Sequence, residues 1–497
     1  TAFIDASMVY GSDEETAASL RDEGGKLLLD EDGLLVSTDD GGVLAGDIRA
    51  AENVALTSMH TMFAREHNFW VDRLSQQNPG LSDEELYQAA RVVVEAEIQA
   101  ITFNEFLPLL LGDDVITEYE GYDPSVDPGI SVEFATAAFR FGHSLLSSSI
   151  QRLNGRGDTI DAGNLSLSEA FFNPDEIAEN GGVDPLLRGL ADGTAQELDT
   201  HVVEDIRSFL FGEPGSGGLD LAALNIERGR DLGVSSYNDL REAVGLSRAE
   251  SFADITSDAE LAAELESIYG DVDLVDAWIG GLAEDAHGNG VIGELFGTII
   301  LDQFLRLRDG DAHWSEGLDI PHAQIDALWS TSLADIIERN TDIRSIQDDV
   351  MLSYDRIGGT GGADELVGGS GRDLLLGRGG NDSLDGAGGD DQLEGHGGND
   401  SLTGGAGDDQ LAGGRGGDTF VFADGFGADT IIDFGRGQGS QNDVLQFNVS
   451  GIDSADNVLA AATAAEGGVL IDFGGGSSVL LLGYGLDRLN EDDILIA

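Results

Sequence analysis

The chain has 497 residues, 94 of them Asp or Glu against 25 Lys or Arg, for a formal net charge of -69 at pH 7. That imbalance excludes nucleic acid as a partner, since phosphates would be repelled, and it points to a solvated acidic surface sensitive to salt and calcium. There is no cysteine for a disulfide framework, no apolar run approaches the ~20 residues of a membrane span, and the length suffices for a large core plus a smaller module.

The first residues, TAFIDASMVYGSD, carry the pattern T-x-F-x-D-x-S. Thr1, Asp5 and Ser7 offer side-chain oxygens and Phe3 a backbone carbonyl, a hard-oxygen set suited to Ca2+. The same residues also suit a turn with a helix cap at Asp5 or Ser7. Next, GDIRAAEN at 46–53 sets Arg49 and Glu52 three residues apart, on one face if the stretch is helical. LTSMHTMFAREHNFW then reads as an amphipathic helix with Met59, Phe63 and Phe69 among its apolar positions and His60 and His67 seven residues apart. Ser82 and Glu85 form a capping box ahead of Leu86, Ala90, Val94, Ile98 and Ile101 at helical spacing. FRFGHSLL at 139–146 holds His143 in an apolar frame, and LDLAALNIERGRD at 219–231 does the same for Asn225 and Arg228.

Helical patterning stops near Tyr354–Gly358, and from Gly359 to Val421 the sequence repeats every nine residues. Asp364, Asp373, Asp382, Asp391, Asp400, Asp409 and Asp418 share one phase. Leu366, Leu375, Leu384, Leu393, Leu402, Leu411 and Phe420 follow two residues later, with glycines before each Asp. This is the nonapeptide of a parallel β-roll: glycines permit the tight turns, apolar residues stack inward, and each Asp can bridge calcium between successive turns. Beyond it, GFGADTIIDFGRGQ, NDVLQFNV and VLIDFGGGSSVLLLGY read as short strands, and the chain ends LDRLNEDDILIA, an acidic pair before an apolar tail.

The three segments at 46–53, 139–146 and 219–231, in that order, resemble the animal-type haem peroxidases in their bacterial form, and the resemblance runs from Thr1 to about Ile343. It implies a mainly α haem domain over 1–350 that uses hydrogen peroxide to oxidise small phenolic or organic donors or halides. It implies haem b as cofactor, with His143 as the proximal iron ligand and Asn225 accepting the hydrogen bond from its second nitrogen. Arg49 falls on the distal arginine position, where a permanently protonated guanidinium meets the negative charge that develops as the O–O bond breaks. Glu52 falls where the family forms an ester to a haem methyl. Asn53 stands where a few mammalian members have a methionine, so no sulfonium link is expected. Arg140 and Arg228 match positions that pair with haem propionates. In a related branch that oxygenates fatty acids, a tyrosine stands three residues before the proximal histidine; here that place is Arg140, which favours peroxidase chemistry. Thr1, Phe3, Asp5 and Ser7 match a family calcium loop. The family's distal histidine, a second ester carboxylate and one further calcium ligand lie in a GQ-F-x-D-H-D-like segment that this sequence lacks, so the chain is expected to begin inside the domain.

The nonapeptides resemble the repeats-in-toxin family of secreted proteins, which implies calcium at the seven repeat aspartates. A calcium β-roll is expected over 356–423, then a β-rich region over 424–497 whose end resembles the uncleaved signal of type I secretion. That makes an extracellular location and the type I secretion machinery further expectations. A second reading is a calcium-dependent surface or adhesion protein with an inactive peroxidase-like domain. The joint presence of Arg49, Glu52, His143 and Asn225 weighs against it.

Overall fold

The computed structural model describes residues 2–39, 41–112, 115–208, 220–344, 346–435, 443–465 and 467–496. Contacts divide the chain into two compact units, one of Thr1–Asn154 with Asp158–Met351, the other of Gly155–Gly157 with Leu352–Ala497.

The first unit is helical. Its longest helix, Val54–Gln77, starts where the Asn53 side chain accepts a hydrogen bond from the Leu56 amide at 2.9 Å, so Asn53 acts as an N-cap. Helix Asp83–Ile101 begins at the Ser82–Glu85 capping box, and Leu86, Ala90, Val94, Ile98 and Ile101 are all buried. Helix Leu333–Asn340 locks onto both. The Trp70 indole donates to Glu66 at 2.7 Å and Glu97 at 3.1 Å, Arg339 faces both carboxylates, and Asn340 donates to Glu66. Burial, with the Glu66 carboxylate beside it, pushes the Glu97 carboxyl well above its ordinary value.

A second apolar cluster gathers around helices Ala277–Ala283 and Glu294–Asp309 and the short helix Ala138–His143. There Phe134 stacks on Phe139 at 4.6 Å, Phe304 tilts against both rings, and the Trp278 indole donates to the Arg140 carbonyl at 3.4 Å. Gly280 and Gly281 are required by close packing: a Cβ would fall 2.3 Å from the Tyr237 ring and 2.2 Å from the Phe296 ring. Among the described residues, no helix is long and apolar enough to cross a membrane.

The second unit winds as a two-sheet roll. Successive nonapeptides enter opposite sheets, so each coil takes two repeats and same-sheet neighbours lie 18 residues apart, as in Leu375↔Leu393↔Leu411 and Leu366↔Leu384↔Leu402. All these leucines are buried. Strands Thr419–Ala423 and Ala428–Ile431 continue the two parallel sheets, followed by Val444–Asn448 in one and Ser477–Leu482 in the other. The tail strand Ile494–Ile496 adds parallel to Val444–Asn448. Residues after 423 therefore extend the same sheets and share one core with the repeats.

Candidate functional site

His143 ends the short helix Ala138–His143, and Asn225 sits fully buried in helix Leu221–Asp231, whose N-cap Asp220 accepts from the Ala223 amide at 3.1 Å. Asn225 Nδ2 lies 2.8 Å from His143 Nδ1, and Asn225 Oδ1 lies 3.4 Å from Arg140 Nη1. A guanidinium only donates, so Arg140 takes the oxygen end of the amide and turns the nitrogen end toward the imidazole. Asn225 thereby donates to Nδ1, the reverse of the bond the resemblance implies. A half-turn of the amide, which exchanges its two ends, makes Asn225 the acceptor.

Burial, with the Arg140 and Arg228 charges nearby, pushes His143 down to about 4, so its imidazole is neutral at neutral pH. Nδ1 meets Asn225, which leaves Nε2 as the nitrogen for a metal. Arg140 donates to the Ala135 carbonyl at 3.0 Å, and burial and Arg228 lower its pKa with no carboxylate contributing. Among the described residues neither Arg140 nor Arg228 has an acidic ion-pair partner, although acids outnumber bases 94 to 25. A Cβ built on Gly142 would meet nothing within 4 Å, and Phe139 beside it is 41% exposed. A neutral ligand nitrogen, open apolar space and two cations without an acidic partner among the described residues fit a flat porphyrin with anionic propionates.

Arg49 and Glu52 lie in turns rather than on a helical face. Asp47 takes over the local backbone by accepting from the Arg49 amide at 2.8 Å, and Asn53 caps the next helix. The same Asp47 carboxylate grips the Arg49 guanidinium at 3.0 Å and 2.7 Å, which holds Asp47 down at about 2. The Arg49 side chain stays 72% exposed. Backbone bonds tie Glu52 on both sides, from its amide to the Arg49 carbonyl at 2.8 Å and from the Phe172 amide to its carbonyl at 3.1 Å. His143, Asn225, Arg140 and Arg228 thus come together, and Arg49 with Asp47 and Glu52 forms a second group; among the described residues no hydrogen bond joins the two. His67 is spoken for by the Tyr10 hydroxyl and the Gly25 carbonyl, each at 3.0 Å.

In the N-terminal loop, Asp5 Oδ1 accepts from the Ser7 amide at 3.0 Å, and Gln99 donates to the Ile4 carbonyl at 2.9 Å. Neither Asp5 nor Ser7 caps the helix Ser7–Tyr10; buried Ala6 fills that position with a φ of 53° and no side-chain bond. Thr1 lies outside the described residues. Phe3 and Asp5 line a cavity of about 420 Å³ with Arg91, Glu95, Gln99 and Asp311. Burial, aided by the Asp5 charge, raises the carboxyls of Glu95 and Asp311.

The repeat turns form two ladders. Each Asp amide donates to the Oδ1 of the Asp one coil later: 373 to 391 to 409 in one column, 364 to 382 to 400 to 418 in the other, at 2.8–2.9 Å. The second oxygens of Asp382, Asp391, Asp400, Asp409 and Asp418 are buried without a partner. A Cβ on Gly386 would fall 2.2 Å from Asp391 Oδ2 and 2.5 Å from the Gly404 carbonyl oxygen, so these atoms line a small oxygen cradle. Among the described residues no three acidic or His side chains converge. A cation there draws its other ligands from carbonyls, which suits Ca2+. Asp364 and Asp373 differ from the other five: Thr360 and Gly369 amides already bond their second oxygens.

Sequence reasoning passed over Asp47, whose D-x-R spacing permits both an Asx turn and an ion pair. It also passed over Asp429, although G-x-D-x-I at 427–431 keeps the repeat phase around the Asp.

The family model for animal haem peroxidase matches residues 1–351, and that for the RTX calcium-binding nonapeptide repeat matches 358–393 and 385–420. Peroxinectin A of Dictyostelium discoideum is 35% identical over 68% of this chain and 66% of its own length. The human peroxidasin homolog is 38% identical over 74% of this chain and 27% of its own length, and mouse myeloperoxidase 38% over 70% and 53%. The chain thus spans less than two thirds of these relatives. Among solved structures, peroxidase A from D. discoideum superposes with a TM-score of 0.64 at 34% identity, covering 70% of each chain. An Oryza sativa fatty acid alpha-dioxygenase variant superposes at 0.61 with 25% identity, covering 69% of this chain and 64% of its own.

Proposed function

The chain belongs to the animal haem peroxidase family, and from that premise we propose that it is a secreted, calcium-loaded peroxidase that oxidises small phenolic or organic donors or halides with hydrogen peroxide. The observation that carries this is the neutral His143 beside Asn225, flanked by Arg140 and Arg228, which have no acidic partner among the described residues. Bound haem supplies peroxide O–O cleavage and the oxidising equivalents passed to the donor.

His143 Nε2 holds the iron, and Asn225 fixes the ring; the iron-bound form calls for Nδ1–H donating to Asn225 Oδ1. Arg140 and Arg228 would hold the propionates, and an Arg140 paired in that way would leave the Asn225 oxygen free for the imidazole. Arg49, oriented by Asp47 through two guanidinium bonds, would supply a fixed positive charge for the oxygen that leaves when peroxide is split. Glu52 is the carboxylate offered for an ester to the haem. Asp5, Ser7, the Phe3 carbonyl and Thr1 form a calcium site, and the repeats hold further calcium. Folding outside the cell on external calcium, after export by type I machinery, accords with a chain that has no cysteine. Arg140 in place of a tyrosine favours this chemistry over fatty-acid oxygenation.

The test is the absorption spectrum of the haem-reconstituted protein before and after peroxide. A Soret band that shifts with peroxide and recovers with a phenolic donor is expected. A folded helical unit that gives no Soret band overturns the proposal in favour of a calcium-dependent surface protein.

A further inference from the structure

We infer that Asp429 ligates one more calcium ion, at a turn beyond the nonapeptide array; the inference rests on the reading that the repeats themselves take calcium. The recognised repeats end at residue 420. The next Asp in phase would fall at 427, where the chain has Gly, and Asp429 comes 11 residues after Gly-Gly-Asp418 closes the last repeat turn.

The turn tip nevertheless recurs. From Asp382 onward each repeat tip is Gly-x-Asp with the glycine at positive φ: Gly380 (123°), Gly389 (118°), Gly398 (153°), Gly407 (137°) and Gly416 (149°). Gly427-Ala428-Asp429 repeats this with Gly427 at 83°. A Cβ on Gly427 would fall 2.0 Å from the Gly407 carbonyl oxygen, as one on Gly407 would fall 2.1 Å from that of Gly389, so the tips stack in one column. The residue between them joins as well: the Ala428 amide donates to Asp408 Oδ1 at 2.7 Å, as the Asp408 amide does to Asp390 Oδ1 at 3.0 Å. Asp429 Oδ1 accepts from the Asp409 amide at 3.1 Å, which extends the column 373, 391, 409 by one rung.

The decisive atom is the second oxygen. Asp429 is 1% exposed and its Oδ2 has no hydrogen-bond partner, a condition it shares with Asp382, Asp391, Asp400, Asp409 and Asp418. A buried carboxylate oxygen left bare is costly unless a cation or donor meets it. The other column shows the alternative. It ends at Asp443, whose Oδ1 accepts from the Asp418 amide at 3.0 Å and whose Oδ2 is closed by the Gly435 amide at 2.6 Å. One column is thus sealed by protein, and the other presents a further oxygen for calcium. The two-residue insertion before Asp429 is taken up by Asp424, which is drawn off to Ser450 at 2.6 Å and 2.5 Å.

The experiment is calcium stoichiometry of the full chain by equilibrium dialysis and metal analysis, for wild type, Asp409→Asn and Asp429→Asn. Each variant should bind one equivalent fewer than wild type. An undiminished count in Asp429→Asn beside a loss in Asp409→Asn overturns the Asp429 site alone. A wild-type chain that binds no calcium overturns the repeat reading and the site with it. Melting separates ligation from simple structural support: Asp429→Asn should lower the melting temperature of the roll in calcium but keep or raise it in EDTA, where the buried, unpartnered carboxyl is a burden. A fall in both conditions overturns the proposal, because a purely structural Asp predicts it.

Discussion

The two units treat buried charge in opposite ways. In the helical unit, buried acids and bases meet inside the protein: Arg152, 3% exposed, pairs with Glu176 at 2.7 Å, and Arg241 spans Glu284 and Glu294 at 2.5 Å and 2.6 Å. In the roll, six buried aspartates each present an oxygen with no partner among the described residues. These helical pairs carry their own counter-charge, whereas the roll is built around charge that must come from outside. Its fold is therefore conditional on solution chemistry in a way the helical fold is not.

The strongest test of this contrast is calcium removal. Burial pushes the repeat carboxyls up from 3.8, to about 7 for Asp391, 6 for Asp409 and Asp418, and 8 for Asp429. Raised folded values mean that the calcium-free roll binds more protons than the unfolded chain between about pH 4 and pH 8. Its stability is greatest below that window and falls as pH rises through it. Circular dichroism in EDTA should therefore show most of the strand signal lost at pH 8 and retained near pH 4.5, with the helical signal little changed at pH 8. A strand signal indifferent to EDTA at pH 8 breaks the contrast.

Within the helical unit, the site at His143 is the place where outside chemistry enters. His143→Ala should abolish haem retention, read as loss of the Soret band after gel filtration. Asn225→Ala should weaken it by about 10- to 100-fold, the usual cost of removing a ligand's orienting partner. Arg49→Ala should leave haem content unchanged and slow the reaction with peroxide by about 10²–10³-fold in stopped flow. Asp47→Asn should have a smaller effect in the same direction, because it frees the guanidinium without removing it. Equal haem loss in Arg49→Ala would move that residue from the peroxide side to the fold.

The same contrast governs what could be read from sequence. The roll was legible residue by residue, since a nine-residue period fixes both the buried leucines and the ladder of aspartates. What the period hid was the pairing: alternate repeats enter different sheets, so contacts fall 18 residues apart, and Asp429 slipped out of phase behind a two-residue insertion. In the helical unit the capping box at Ser82 and the core face of Asp83–Ile101 followed from local rules. Two details did not. Arg49 and Glu52 sit in turns because the side chains of Asp47 and Asn53 outcompete the helix for nearby amides. The Asn225 amide faces His143 with its nitrogen because Arg140, 85 residues away, claims its oxygen. Contacts between distant polar groups leave no periodic trace, so only the resemblance pointed to His143 and Asn225 together.

The finest test compares one glycine from each unit. Gly142 has nothing within 4 Å of its absent Cβ, whereas Gly386 faces Asp391 Oδ2 at 2.2 Å and the Gly404 carbonyl oxygen at 2.5 Å. Neither has a positive φ, so alanine brings no backbone strain at either position. Gly142→Ala should melt like wild type without haem, because its methyl enters open space, yet should take up haem more weakly if the porphyrin uses that space. Gly386→Ala should lower the melting temperature of the roll even in EDTA, because the Gly404 carbonyl is backbone and cannot swing aside as the Asp391 side chain can, and should cost one calcium equivalent when calcium is present. Only Gly142→Ala is thus quiet until the outside partner arrives. A Gly386→Ala chain with a full calcium count would mean that the oxygen cradle at Asp391 is not where the ion sits.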